Sequence, residues 1–212
     1  VYAGGYKAMV DSLLCPAIPN DCPWNLPSPP CYYQPGDIPF QYYAQFTDDK
    51  AYIHDYDELA KNVAAGTLPT LSYVKAVQYK NEHPGYSTKI SQGVGFVDET
   101  VKTILGSAYA NDTLILLTWD EGGGFFDHVP PPPTSSIDGK PYGTRVGLLA
   151  IGAFARKNHV SHVVMEHSSI VKFLEYAFLG GKTGQLGARD TEVANIGSLL
   201  DPATTGIAIP ED

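Results

Sequence analysis

Residues 112–133 read DTLILLTWDEGGGFFDHVPPPP, and no other stretch constrains the fold as tightly. Its opening run, Thr113 to Trp119, is apolar and too short for a globular helix. Its Leu, Ile and Thr content suits a strand buried on both faces. The run stops abruptly at Asp120-Glu121, then Gly122-Gly123-Gly124, then Phe125-Phe126-Asp127-His128. In open α/β sheets, ligands bind just beyond the carboxyl ends of the strands. Two adjacent carboxylates there, a triple glycine that lets backbone approach a ligand and a histidine shortly downstream point to a metal and phosphate site. An acidic turn capped by glycines is the plainer reading of Asp-Glu-Gly. The run Pro130 to Pro133 fixes the exit path of the loop, and together with His128 it favours the site.

The whole chain sets wider bounds. Its 212 residues can bury one sizeable core, so a single domain is expected. That domain comprises a Pro- and Cys-rich surface segment at 1–39, a sheet-and-helix core at 40–180 and a peripheral tail at 181–212. The net charge of −9 argues against a nucleic-acid binder, which needs a basic patch. It leaves a phosphorylated substrate open, because a bound metal inverts the local field. No apolar run approaches the roughly 18 residues of a membrane span, and no leader is visible from Val1 onward. Cys15, Cys22 and Cys31 lack the partners of a zinc-finger spacing. A disulfide such as Cys22 to Cys31 and a set of buried thiols both stay open.

Taken in order, the chain offers a short helix at Tyr6 to Leu14 and an extended loop from Cys15 to Pro39. Ile38 to Phe46 reads as a strand. Asp55 can cap a helix over Tyr56 to Ala65, with Leu59 and Val63 on one face and Gly66 ending it. Leu68 to Val74 reads as the next strand. The loop that follows presents His83, held out of helical geometry by Pro84. A helix is expected at Ser91 to Ser107 with Val94, Val97, Val101, Ile104 and Leu105 on its buried face. Strand, helix and the 113–119 strand then make a right-handed βαβ unit. That unit brings His83 and His128 to one sheet edge. Arg145 opens a strand at Val146 to Gly152 and is read as structural, and His159 and His162 as surface residues. Ser168 can cap a helix at Ser169 to Leu179 whose apolar stripe is Ile170, Phe173, Leu174, Ala177 and Phe178. His167 faces either the site or the helix dipole. A small helix is possible at Glu192 to Leu200.

The stretch WDEGGGFFDHVPPP, from Trp119 to Pro132, resembles the signature of the phosphoesterase family of bacterial and fungal phospholipases C and acid phosphatases. Glu82-His83-Pro84, Gly143-Thr144-Arg145-Val146 and His167-Ser168-Ser169-Ile170 agree with it in order. The resemblance runs from about Asp37 to about Asp190. It implies an α/β fold of the alkaline-phosphatase-like kind, a parallel-sheet-centred α/β sandwich of which this chain is the later part. It also implies paired acids that bind metal, histidines that contact phosphate and a secreted or periplasmic setting. The family's early Glu-Asn-(His or Arg)-(Ser or Thr)-Phe-Asp motif and its Thr or Ser nucleophile do not appear in Val1 to Phe46. Ser12 and Thr47 lack the surrounding pattern. An upstream segment or a separate chain is therefore expected to complete the site.

Phosphoester cleavage needs negative charge spread off the transferring group and a nucleophile placed in line. Asp120 and Glu121 are the expected ligands of one divalent cation, and their oxygens suit calcium, magnesium or manganese better than zinc. His83 and His128 are the expected catalytic groups, able to donate to phosphate oxygens or to protonate a leaving alcohol. Gly122, Gly123 and Gly124 would bend the backbone toward substrate. The substrate class is a phosphoester, either a phospholipid head group or a soluble phosphomonoester. A non-catalytic, calcium-stabilised binding module whose Tyr and Pro surfaces contact a partner is the alternative. A sulfatase or phosphomutase of the same superfamily is a further one, and no sulfatase motif surrounds the three cysteines.

Overall fold

Tyr2 and Ala3 form the middle strand, β1, of a three-stranded parallel sheet in the order β2-β1-β3. β2 is His54–Asp55 and β3 is Val74–Lys75, and Tyr2 sits level with both His54 and Val74. The computed structural model describes residues 1–4, 37–46, 49–77, 80–85 and 88–211. The expected Tyr6 to Leu14 helix, the three cysteines, Ser12, Thr47 and most of the 15–39 loop lie outside those residues. The chain is a mixed α/β protein and divides into two compact units, Val1–Tyr109 and Ala110–Asp212.

In the first unit, Ala3, Ile38 and Ile53 are sealed from solvent around β1. Helix α1, Asp57–Ala65, buries Leu59 and Val63 as their spacing requires, and Gly66 ends it at φ 71°. The N-cap is Tyr56 and not Asp55 as expected; Asp55 lies one residue earlier, its Oδ1 accepting the Asp57 amide at 3.1 Å. Two expected strands are corrected. Ile38 to Phe46 forms a 3₁₀ turn at Pro39–Tyr42, because Pro39 presets the φ of a first helical residue. Leu68 to Val74 contributes only its last residue to β3, since Pro69 cannot donate to a ladder.

Helix α2, Ile90–Leu105, turns a different face inward from the one expected. Gly93, Phe96, Thr100 and Ile104 are buried, whereas Val94 is 56% exposed. Two apolar stripes overlap on this helix, and a long-range hydrogen bond selects between them. The Phe96 ring packs 4.7 Å from the Tyr56 ring. The Tyr56 and Thr100 hydroxyls lie 2.9 Å apart, and the Thr100 hydroxyl donates to the Phe96 carbonyl.

In the second unit, β4 is Leu114–Thr118 and β5 is Leu148–Gly152. They pair antiparallel, Leu114 opposite Gly152 and Thr118 opposite Leu148. This corrects the expected βαβ unit: among the described residues β3 and β4 belong to different sheets and share no ladder. β4 is half-buried along its length rather than sealed on both faces.

Helix α3, His167–Phe178, also differs from expectation. Its start is held by Glu166 and Ser169, whose Oγ accepts the Glu166 amide at 3.1 Å, and not by Ser168. Its buried residues are Ser169, Lys172 and Glu175, while Phe178 is exposed. The expected small helix at 192–200 is replaced by α4, Arg189–Glu192, a 3₁₀ turn at Gly197–Leu199 and α5, Pro202–Thr205. The segment read as a peripheral tail supplies core. Asp190, Val193, Asn195, Ile196 and Leu200 are buried, and Leu200 bridges Ala155. Arg189 ties three segments together. Its Nε and Nη2 grip the Glu166 carboxylate at 2.6 and 2.8 Å, and its Nη1 donates to both Asp138 oxygens at 2.7 Å. The Tyr142 ring lies 5.1 Å from the guanidinium carbon. No described helix is long and apolar enough to cross a membrane.

The turned face of α2 sets a test. Phe96→Ala should cost about 3–5 kcal/mol by leaving a cavity against Tyr56. Val94→Ala should cost under about 0.5 kcal/mol, as exposed substitutions do. Urea denaturation of both variants measures the contrast, and equal costs would contradict the packing.

Candidate functional site

β4 ends at Thr118, and Asp120 and Glu121 follow it directly into the loop. Both are exposed. Asp120 Oδ1 accepts the Glu121 amide at 3.0 Å, and Glu121 Oε2 accepts the Gly123 amide at 2.6 Å. Each carboxylate thus spends one oxygen on steadying the bend.

Gly122 serves the protein's own packing. A Cβ on Gly122 would fall 2.1 Å from the Thr144 hydroxyl, so the loop can lie against the 143–145 segment only with glycine there. Gly123 and Gly124 take φ of 67° and 72°, left-handed values that suit glycine. The expectation that they bend toward substrate is compatible with this, but the contact in view is with Thr144.

Asp127 closes the loop from the other side. Its carboxylate meets Arg145 in a two-point fork, Nε to Oδ2 at 2.8 Å and Nη2 to Oδ1 at 2.9 Å, and also accepts the Val129 amide. Arg145 is therefore a structural partner, as read from the sequence. The Arg145 bond is the main cause that lowers the Asp127 pKa to about 2, helped by the Val129 amide. His128, next in the chain, is exposed, with Nδ1 3.8 Å from Asp127 Oδ1.

His167 is the group that sequence reasoning left undecided. It is the first residue of α3, and its Nε2 lies 2.8 Å from the Trp119 carbonyl, one residue before Asp120. A carbonyl can only accept, so Nε2 carries the proton. The signal for this role was the spacing of the His167-Ser168-Ser169 motif, which placed the ring at a helix start without giving its direction.

His83 belongs to the first unit. Its Nδ1 lies 2.6 Å from the Pro84 carbonyl, so Nδ1 carries the proton. Asn81 and Thr88 pin its backbone at 3.0 and 2.9 Å. The neighbouring Glu82 side chain occupies the space over Gly93, where a Cβ would meet Glu82 Cγ at 2.4 Å. Ser87 lies outside the described residues.

The donor set fits a hard divalent cation in kind. Asp120 and Glu121 offer carboxylate oxygens from one bend. It does not fit in number: among the described residues no three His, Cys, Asp or Glu side chains gather to hold an ion.

The Asp127 fork has a pH signature. A carboxylate whose folded pKa lies below its unfolded one stabilises above the ordinary carboxylate range and loses that stabilisation as pH falls through the folded value. Protection of the Val129 amide in hydrogen exchange should therefore collapse as pH falls through about 2. In Asp127→Asn, protection should be low throughout, and an unchanged profile would remove Asp127 from this role.

Comparison with known proteins adds to the geometry. The chain resembles the non-hemolytic phospholipase C of Burkholderia pseudomallei, 29% identical over 147 residues that cover 58% of this chain and 21% of that protein. The hemolytic phospholipase C of Pseudomonas aeruginosa is 32% identical over 146 residues, 58% of this chain and 19% of that protein. Phospholipase C B of Mycobacterium tuberculosis is 29% identical over 142 residues, 57% and 27%. The chain thus spans about a fifth to a quarter of the length of these relatives. The Phosphoesterase family matches residues 24–179, from between β1 and β2 through Asp120, Glu121 and His128 to the end of α3. With most of its 212 residues inside that match, the chain belongs to the Phosphoesterase family.

Proposed function

We propose that this chain supplies part of the site of a metal-assisted phosphoester hydrolase of the phospholipase C or acid-phosphatase type. The observation that carries this reading is the loop after β4. Asp120, Glu121 and His128 lie on that one loop, whose Gly122 abuts Thr144 and whose Asp127 pairs with Arg145, inside the family match. Asp120 and Glu121 would hold a calcium, magnesium or manganese ion through their second oxygens. When bound, such an ion draws negative charge off the transferring phosphoryl group and orients it.

The chain's own residues do the rest. His128, exposed at the loop's far side, holds a proton for phosphate oxygens or the leaving alcohol. His83 takes the same class of role. His167 holds the Trp119 carbonyl and so fixes the peptide that aims Asp120. No nucleophile is assigned to this chain. The nucleophile and the remaining ligands come from residues beyond the set named here. The substrate is a phosphoester, a phospholipid head group or a soluble monoester, met in a secreted or periplasmic setting.

Calorimetric titration of the chain with calcium, magnesium and manganese is the first test. Binding should be measurable in the wild type and lost in Asp120→Asn and Glu121→Gln. Equal binding by all three proteins would sink the metal assignment. Hydrolysis of bis-p-nitrophenyl phosphate is the second. The chain extended upstream along its reading frame should turn over in a metal-dependent way. Asp120→Asn should then lower turnover by about a hundredfold or more, and His83→Ala or His128→Ala by about 10²–10⁴-fold. Metal binding without hydrolysis in the extended chain would favour a calcium-stabilised binding module. Robust turnover by the 212-residue chain alone would show that it carries its own nucleophile.

A further inference from the structure

We infer that Glu175 of α3 and Asp190 of α4 share a single proton, and that this buried pair is a pH-sensitive latch closing the second unit. Both carboxyls are sealed in the interior, Glu175 at 2% exposure and Asp190 at 0%. Each spends one oxygen on loop amides. Glu175 Oε1 faces the Gln185 amide at 3.4 Å, and Asp190 Oδ2 accepts those of Gly184 at 2.9 Å and Leu186 at 3.0 Å. The other two oxygens, Glu175 Oε2 and Asp190 Oδ1, are buried and meet no donor among the described residues. The two carboxyls flank one loop, since the amides they face, Gly184, Gln185 and Leu186, are consecutive. Two ionised carboxylates have no proton to donate, so a bond between the two orphaned oxygens requires that one of them be protonated.

The surroundings say which one. Asp190 takes two well-aligned amides and is thereby kept as the carboxylate, while Glu175 has one long contact and is the donor. Burial, then the bond to Asp190, raise the Glu175 carboxyl above its ordinary range. Asp190 is held below its own despite burial, by the Leu186 amide, Glu175 and the Gly184 amide.

The charge balance agrees. The cation nearest the pair is Lys172, also on α3, buried with its Nζ donating to the Thr191 and Val193 carbonyls at 3.1 and 2.7 Å. One positive charge offsets one carboxylate, and a second would stand uncompensated in a desolvated site. Among the described residues, the other charged groups on these elements are committed elsewhere or exposed. Arg189, on α4, is committed to Glu166 and Asp138. Lys182 of the intervening loop and Glu192 of α4 are exposed, and Tyr176 of α3 packs its ring on Gly181.

The latch is closed while the pair holds one proton. As pH rises through the raised Glu175 value, the second carboxylate forms and that part of the stability is lost. As pH falls through the depressed Asp190 value, the carboxylate that the Gly184 and Leu186 amides hold is neutralised and its share is lost. Because α3 begins with His167, opening in alkali would also loosen the Trp119 carbonyl beside Asp120.

Infrared difference spectroscopy on the full chain at neutral pH tests this directly. The expected result is a protonated-carboxyl C=O band that disappears in Glu175→Gln. Urea midpoints give the second readout. The wild type should weaken as pH rises through the raised Glu175 value. Glu175→Gln, whose amide can donate the same hydrogen bond without titrating, should lose that slope. A neutral-pH spectrum without the band, or a band that persists in Glu175→Gln, would overturn the inference. Should the variant not fold, the wild type still decides. Its band must vanish on raising pH in step with the loss of near-ultraviolet circular dichroism, and a band unchanged through that transition refutes the latch.

Discussion

The antiparallel ladder between β4 and β5 is the constraint on which the second unit's candidate site rests. Pairing Thr118 with Leu148 brings the loop after β4 alongside the segment that leads into β5. Every cross-link of the site follows from that adjacency. The Thr118 hydroxyl donates to the Gly147 carbonyl at 2.8 Å, the Trp119 ring lies over Gly147, Gly122 abuts Thr144 and Asp127 forks onto Arg145. A slip of one residue would turn each β4 side chain to the opposite face and would separate these pairs together. The functional loop is therefore as well defined as the strand register beneath it.

Much of the site was legible because its chemistry is local in the chain. Asp120, Glu121 and His128 fall within one short stretch, and the strand before them is short and apolar enough to be recognised as a strand. What the glycines do was less legible. A run of three suggests approach to a ligand, whereas Gly122 meets Thr144, a neighbour 22 residues away that only pairing brings close. The direction of His167 was hidden for the same reason, since its partner is a backbone carbonyl 48 residues earlier.

The fold was read well where a side chain acts on its own turn and poorly where two long-range choices competed. The end of α1, set by Gly66, needed only local reasoning. The inward face of α2 did not. Its valines and its Phe96-Thr100-Ile104 row are both at helical spacing, and the decision lies with Tyr56 on another segment. In α3 the periodicity argument failed outright, because the buried row is polar. Lys172 and Glu175 find their partners in the tail, a region whose composition of Gly, Thr, Asp and Pro gives no hint that it is core. The strand at Tyr2–Ala3 is two residues long and has no periodicity to detect.

Arg189 carries a consequence for how this sequence can drift. Its planar fork engages Glu166 with two nitrogens and Asp138 with a third, so one side chain binds the start of α3, the 134–140 loop and α4. A lysine at this position keeps the charge but presents a single ammonium that cannot span both carboxylates in that geometry. Loss of the guanidinium would release one of the three segments whichever acid the lysine chose. Substitution tables rank arginine and lysine as close neighbours. At this position they are not exchangeable, and an ancestral path between them would have to pass through changes at Asp138 or Glu166 as well.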